Sequence, residues 1–262
     1  MNVRLFTDMM GNEVELIYPP KRIISLVPSQ TELLYDLGLN KEVAGITKFC
    51  VHPDEWFRNK TRVGGTKTVN LEIVKTLHPD LIIANKEENT RSQIEELSTQ
   101  YPVWVSDIQT IDDSRQMILE VGALVGKAGE AQIVVQDIAK GFAALNKSAR
   151  PKKVAYFIWR KPWMCAGGDT FISNMIAAIG WENALADRKR YPEIKLEELR
   201  DKQIDLVLLS SEPYPFKDGH IAEIRAVFPG VEVILVDGEM FSWYGSRLRE
   251  AVKYFGDLSA RW

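Results

Sequence analysis

The sequence predicts an α/β protein of two lobes, each with a mostly parallel central sheet, joined by one long helix. Three observations carry this reading. Short apolar runs alternate with segments of helical spacing, the pattern of strand–helix–strand units. A helix–Asp–strand segment occurs twice, as VNLEIVKTLHPDLIIA from Val69 and IKLEELRDKQIDLVLL from Ile194. Leu71, Glu72, Asp80 and Leu81 are matched there by Leu196, Glu197, Asp205 and Leu206. Between the copies, residues 127–150 keep apolar residues at helical spacing without a proline, which predicts a stiff helix rather than a flexible linker. The expected organisation is an N-terminal lobe over 1–126, a connecting helix over 127–150 and a C-terminal lobe over 151–262.

Residues 3–6 and 14–18 flank a turn at Met10-Gly11-Asn12 and read as a β-hairpin. Residues 22–27 form a nearly continuous apolar run, the signature of a strand buried on both faces. Pro28-Ser29-Gln30 ends it, and helical spacing over 31–37 stops at Gly38. Further strands are expected at 43–47, 81–84 and 103–105, with helices at 70–77, 90–100 and 112–125. In the second half, 153–158 takes the part of the first strand and 169–180 that of the first helix. VEVILVD, ending at Asp237, then repeats YPVWVSD, ending at Asp107.

Composition narrows the function. The 262 residues are 45% hydrophobic and 26% charged, enough to build a core without disulfides. Thirty-three basic against 36 acidic residues leave a net charge of −3, which argues against a nucleic-acid binder. The longest apolar run, residues 154–159, is far below the roughly 20 needed to span a bilayer. The opening residues show no secretory pattern, so the sequence leaves open a cytoplasmic chain or one that starts at its mature end. Cys50, Cys165 and three scattered histidines lack the spacing of a metal site, and His52, His78 and His220 read as solvated loop residues. No nucleophile elbow, zincin motif, P-loop or dinucleotide fingerprint follows a strand, so no catalytic residues are expected.

Ligands of open α/β sheets sit beyond the carboxyl ends of the strands. The loops there supply Pro28, Ser29, Phe49 and Thr66 in the first lobe. In the second they supply Trp159, Arg160, Trp163, Tyr191, Trp243, Tyr244 and Arg247. Tryptophan and tyrosine crowd into these loops, as suits a large, flat, amphipathic ligand. Gly167-Gly168-Asp169-Thr170 reads as a tight turn with Asp169 or Thr170 capping the next helix. Glu72 and Glu197 occupy the first turn of equivalent helices, which makes a two-point acidic docking surface.

TDMMGNEVEL followed by PPKRIISLVPSQTELLYDLGL, and then VGGTKTVNLEIVKTLHPDLIIA, resembles the substrate-binding proteins of ABC importers for vitamin B12, haem and ferric siderophores, with most likeness to the cobalamin-binding branch. The resemblance implies two α/β lobes bridged by a rigid helix and a non-enzymatic, non-covalent receptor of extracytoplasmic location, expected to be monomeric. It implies a cobalamin-like ligand at Pro28, Phe49, Thr66, Trp163, Tyr191 and the Trp243-Tyr244 loop, with Arg160, Lys161 and Arg247 as candidates for an anionic chelate. Phe49 and Tyr191 stand where the pattern has a tyrosine and a tryptophan; Thr66 replaces a tryptophan. Glu72 and Glu197 fall where family members dock on the permease, which works with its ATPase. A siderophore or haem receptor, and a cytoplasmic cofactor-handling protein or enzyme on the same fold, stay open at this point.

Overall fold

The computed structural model describes residues 2–146 and 151–261, so the end of the expected connector, 147–150, lies outside the described residues. The chain forms two compact units. One holds the chain through Ile108, then Asp112–Ile138 and Tyr244–Arg247; the other holds Gln109–Ile111, the stretch from Ala139 to Trp243 and the C-terminal stretch from Leu248.

The first unit opens with an antiparallel hairpin, β1 (Val3–Thr7) and β2 (Glu13–Ile17). Asp8 closes its turn by accepting the amides of Met10 (2.9 Å) and Asn12 (2.7 Å), and Gly11 supplies the positive φ of +83° the turn requires. There follow β3 (Ile23–Ser25), α1 (Pro28–Asp36), β4 (Val43–Ile46), α2 (Asp54–Asn59), β5 (Thr61–Arg62), α3 (Leu71–Leu77), β6 (Leu81–Asn85), α4 (Arg91–Ser98), β7 (Val103–Ser106), α5 (Ile111–Leu124) and α6 (Ala128–Ala144). The sheet runs β5-β4-β3-β6-β7, all parallel. Buried Ile24, Leu26, Ile82, Ala84, Val103 and Val105 cover one face of it, packed with Val74 and Leu97 from the helices. Helix α6 begins in the first unit and passes into the second after Ile138.

In the second unit come β8 (Lys153–Trp159), β9 (Met164–Cys165), α7 (Phe171–Ala178), β10 (Glu182–Asn183), a 3₁₀ helix (Leu196–Lys202), β11 (Leu206–Ser210), α8 (Asp218–Val227), β12 (Glu232–Val236), α9 (Gly238–Ser242) and, after a 3₁₀ turn at Gly245–Arg247, α10 (Leu248–Ser259). The parallel order is β10-β8-β11-β12, with β9 antiparallel to β8. Every residue of β11 is buried, as the apolar run LVLLS requires.

The sequence echo has a structural cause. Both copies end their helix on a left-handed residue, His78 (φ 46°) and Gln203 (φ 52°), and both follow it with an aspartate. Asp80 accepts the amides of Lys21 (2.7 Å) and Arg22 (2.8 Å), at the entry to β3. Asp205 accepts the amide of Lys153 (2.7 Å), the first residue of β8. Each aspartate thus sets the register of its unit's first strand against the strand that it precedes.

Three expectations change, the first being the connecting helix, which ends at Ala144 and leaves 145–146 outside it. Helix α1 starts at Pro28 rather than residue 31, because proline's fixed φ and missing N–H suit the first turn. The second copy of the echoed helix, which carries Glu197, is 3₁₀ rather than α. Asn70 caps α3 by accepting the Ile73 amide, whereas Lys195 at the matching place has no acceptor to offer.

Candidate functional site

The carboxyl end of the first unit's sheet is a buried polar network. The Asn85 amide donates to Ser106 Oγ (3.0 Å), and Asn85 Oδ1 accepts the amides of Glu87 (2.8 Å) and Glu88 (3.0 Å). Asn89 Oδ1 accepts the Asn85 amide (2.8 Å), and its NH2 donates to the Thr66 carbonyl (3.0 Å). Gln30, on α1, donates to Ser106 Oγ. These bonds tie the loops after β5, β6 and β7 to one another and to α1.

Onto this floor the structure brings several of the sequence candidates. Pro28 and Ser29 open α1, and Ser29 is buried. Tyr244 is buried beside Ser29 and Ser106, and burial pushes its hydroxyl pKa well up, opposed by the nearness of those two serines. Phe49 is 50% exposed and lies against Gly65, next to buried Thr66. Any side chain at Gly65 would press on the Phe49 ring, so the glycine seats that ring. Arg247 is committed elsewhere: its Nε and NH2 reach Glu32 Oε2 and Oε1 at 2.9 and 2.7 Å, with 6% and 14% side-chain exposure. The Gly245 amide, at φ +83°, donates to Ser114 Oγ (2.9 Å) in the same segment.

In the second unit, the residues after β8 and β11 build one aromatic group. Trp159, 39% exposed, meets Tyr214 edge-on, with ring centres 5.6 Å apart. Tyr214 packs on Phe216 (4.8 Å), and Phe216 stacks parallel to Trp163 (6.1 Å, 1°). Trp163 also meets Phe157 edge-on. The Arg160 guanidinium lies 5.5 Å from the Trp163 ring centre and forms a two-pronged pair with Glu223 (2.8 and 2.9 Å). The Glu223 hydrogen bond is the main cause of Arg160's raised pKa. Tyr191 is half-buried under the Arg190 guanidinium.

Trp243 is held from a third direction. Glu212, in the loop after β11, accepts Trp243 Nε1 (3.0 Å) and Ser242 Oγ (2.7 Å) on one oxygen. Burial pushes the Glu212 carboxyl above the ordinary carboxylate range, against the pull of those hydrogen bonds.

Sequence reasoning missed Phe216, His220 and the anchoring acids Glu32, Glu212 and Glu223. His220 is not a solvated loop residue: it stands in the first turn of α8, edge-on to Tyr214 and Phe216, with Nε2 3.2 Å from the Tyr214 hydroxyl. Thr170, by contrast, caps α7 as the turn chemistry predicts, accepting the Ser173 amide.

Both cysteines are buried, and burial pushes both thiols up, so neither is an activated nucleophile. Among the described residues no group of His, Cys, Asp and Glu could hold a metal ion, and no helix is long and apolar enough to cross a membrane. Glu72 is exposed on α3, paired with Lys75 (2.7 Å), and Glu197 is exposed in the first turn of its 3₁₀ helix.

A family model described as periplasmic binding protein matches residues 23–227. The vitamin B12-binding protein of Pectobacterium carotovorum is 24% identical over 239 residues, 87% of this chain and 84% of that protein. An uncharacterized ABC transporter substrate-binding lipoprotein of Bacillus subtilis is 27% identical over 262 residues, 94% of this chain and 82% of its own length. Among solved structures, the periplasmic haem-binding protein of Vibrio cholerae shares the fold at a TM-score of 0.78 and 21% identity, covering 90% of this chain and 98% of that one.

Proposed function

The chain belongs to the periplasmic binding protein family, and from that premise we propose that it is the substrate-binding component of an ABC importer that takes up a corrinoid and passes it to a permease. The observation that carries the reading is the aromatic group of Trp159, Trp163, Tyr214 and Phe216 at the carboxyl end of β8 and β11. Its rings offer broad apolar area with few rotors left to freeze, which suits a flat macrocycle with polar edges. The curated relatives that carry a vitamin B12-binding name support the ligand class. The candidate ligand contacts are Pro28, Ser29, Phe49, Thr66, Trp159, Trp163, Tyr191, Trp243 and Tyr244. The chain acts as a monomer outside the cytoplasm, and binding involves no covalent step.

Arg160 and Arg247 argue against an anionic siderophore. Each already faces a carboxylate, Glu223 or Glu32, which offsets its charge and would repel a further anion. In this reading their task is to brace the Trp163 ring and the Tyr244 segment. Haem is the second reading, favoured by one feature: Tyr214 and His220, side by side at 3.2 Å, are both residue types that serve as axial ligands to haem iron.

Glu72 and Glu197, exposed and one to each unit, would meet basic residues of the permease. The ligand-binding part of the proposal is tested with Trp159→Ala. Its ring is the most exposed of the aromatic group, so the variant is expected to fold normally and to lose about 1–3 kcal/mol of cobalamin affinity by calorimetry. Unchanged affinity would remove the aromatic group from the site.

A further inference from the structure

A further concave feature lies wholly in the first unit and meets the polar network described above only at Asn85 and Asn89. It is a groove of about 910 Å³ that runs along the outer edge of β7, between α4 and the hairpin strand β2. We propose that this groove binds an extended, basic polypeptide segment as an added strand on β7.

The edge itself is the first ground. The Ile82 amide donates to the Pro102 carbonyl and the Lys86 amide to the Ser106 carbonyl, which fixes the phase of the β6–β7 ladder. Pro102, Trp104 and Ser106 therefore turn their main-chain groups toward β6, while Val103 and Val105 turn theirs outward into the groove. The Met9 amide takes the Val105 carbonyl (3.1 Å) and closes one end of the edge. The outward groups of Val103 and the Val105 amide face the groove, with no other hydrogen bond among the described residues. An unprotected parallel edge of this kind is a template for one more strand.

Charge decides what kind of strand. Of the groove's charged residues, Arg91 is paired with Glu95 (2.7 Å), Lys86 is paired with Asp107 (2.5 Å), and Asp8 is spent on the hairpin turn. Glu13 and Glu15 remain, exposed on the same face of β2 two residues apart and without an ion pair among the described residues. Carboxylates at that spacing match lysine or arginine at alternate positions of an extended chain. Exposed Met10, at the hairpin tip, gives the segment an apolar contact.

The test uses the full-length protein and a short fluorescent peptide that alternates lysine and valine, with a glutamate-for-lysine version as control. Polarisation is expected to show saturable binding of the lysine peptide, weakened roughly tenfold by Glu13→Lys with Glu15→Lys and by salt of about 0.5 M. Hydrogen exchange on the wild-type protein supplies the backbone readout: the peptide is expected to slow exchange at the Val103 and Val105 amides. Three results would overturn the proposal: no binding, binding that leaves those two amides unprotected, or sedimentation of the free protein as a dimer that already covers the edge. Cobalamin binding does not enter this outcome.

Discussion

Replacing Glu32 with glutamine is expected to destabilise the protein by about 3 kcal/mol, because it leaves Arg247 charged and buried without its counterion. The pair is two-pronged, at 2.7 and 2.9 Å, with side-chain exposures of 6% for Arg247 and 14% for Glu32. Removing one member of a buried pair costs roughly 3–5 kcal/mol. The lower end applies, since glutamine keeps one acceptor oxygen and water reaches the Glu32 side to a small extent. Urea unfolding followed by tryptophan fluorescence measures the loss. The double variant Glu32→Leu with Arg247→Met replaces both charges with apolar groups, and is expected to be more stable than Glu32→Gln by at least ~1 kcal/mol. A Glu32→Gln protein within about 0.5 kcal/mol of wild type would refute the reasoning. Arg247 would then hold a charge not spent on Glu32, and an anionic ligand would regain its best candidate partner.

Trp163→Ala differs from Trp159→Ala: because Trp163 stacks on Phe216 and meets Phe157, it is expected to lower stability by about 2 kcal/mol as well as ligand affinity, read by unfolding and calorimetry together. For Glu212, burial raises the folded-state pKa above the ordinary 4.5, so the folded protein keeps a proton that the unfolded chain releases. The stability tied to that proton is fully present below 4.5 and is lost as pH rises through the raised folded value. Glu212→Gln is expected to flatten this fall in a series of melts from pH 4 toward neutrality, and an unchanged slope would contradict the assignment. Glu72→Arg with Glu197→Arg is expected to change stability by less than about 1 kcal/mol and to leave cobalamin affinity intact. The same variant is expected to fail to stimulate ATP hydrolysis by the cognate importer, and full stimulation would remove the docking role. Asp80→Ala and Asp205→Ala, which seat the first strand of each unit, are each expected to cost about 1–3 kcal/mol in urea melts, and a neutral result at either would break the structural account of the echo.

Much of the architecture was legible because the signals were local and repeated. The runs at β3, β6 and β11 are apolar on both faces, which only a covered parallel sheet explains. The echo marked two like-built units, and His78 and Gln203 show why the likeness extends to a turn that their residue types do not share. The 3₁₀ form of the second helix was hidden, because both copies open on the same leucine–glutamate pair, Leu71-Glu72 and Leu196-Glu197. At the site, the sequence pointed to aromatic loops but not to their braces. Glu32 lies on a helix far in sequence from Arg247, as Glu223 does from Arg160, and no spacing rule links such pairs. His220 carried a signal in its place soon after YPFK, two aromatic residues ahead of a helix, but that pattern gains meaning only when the first turn of α8 brings His220 against Tyr214.

Parallel calorimetric and visible-absorption titrations with cyanocobalamin, haem and a ferric hydroxamate siderophore test the proposal that the aromatic group receives a corrinoid. Cobalamin is expected to give saturable heat at one ligand per chain, the siderophore weaker or no heat, and Trp159→Ala a weakened cobalamin affinity. Tight haem binding with a shifted absorption band that Tyr214→Phe abolishes, together with no heat from cobalamin, would contradict the corrinoid assignment and establish the haem reading in its place.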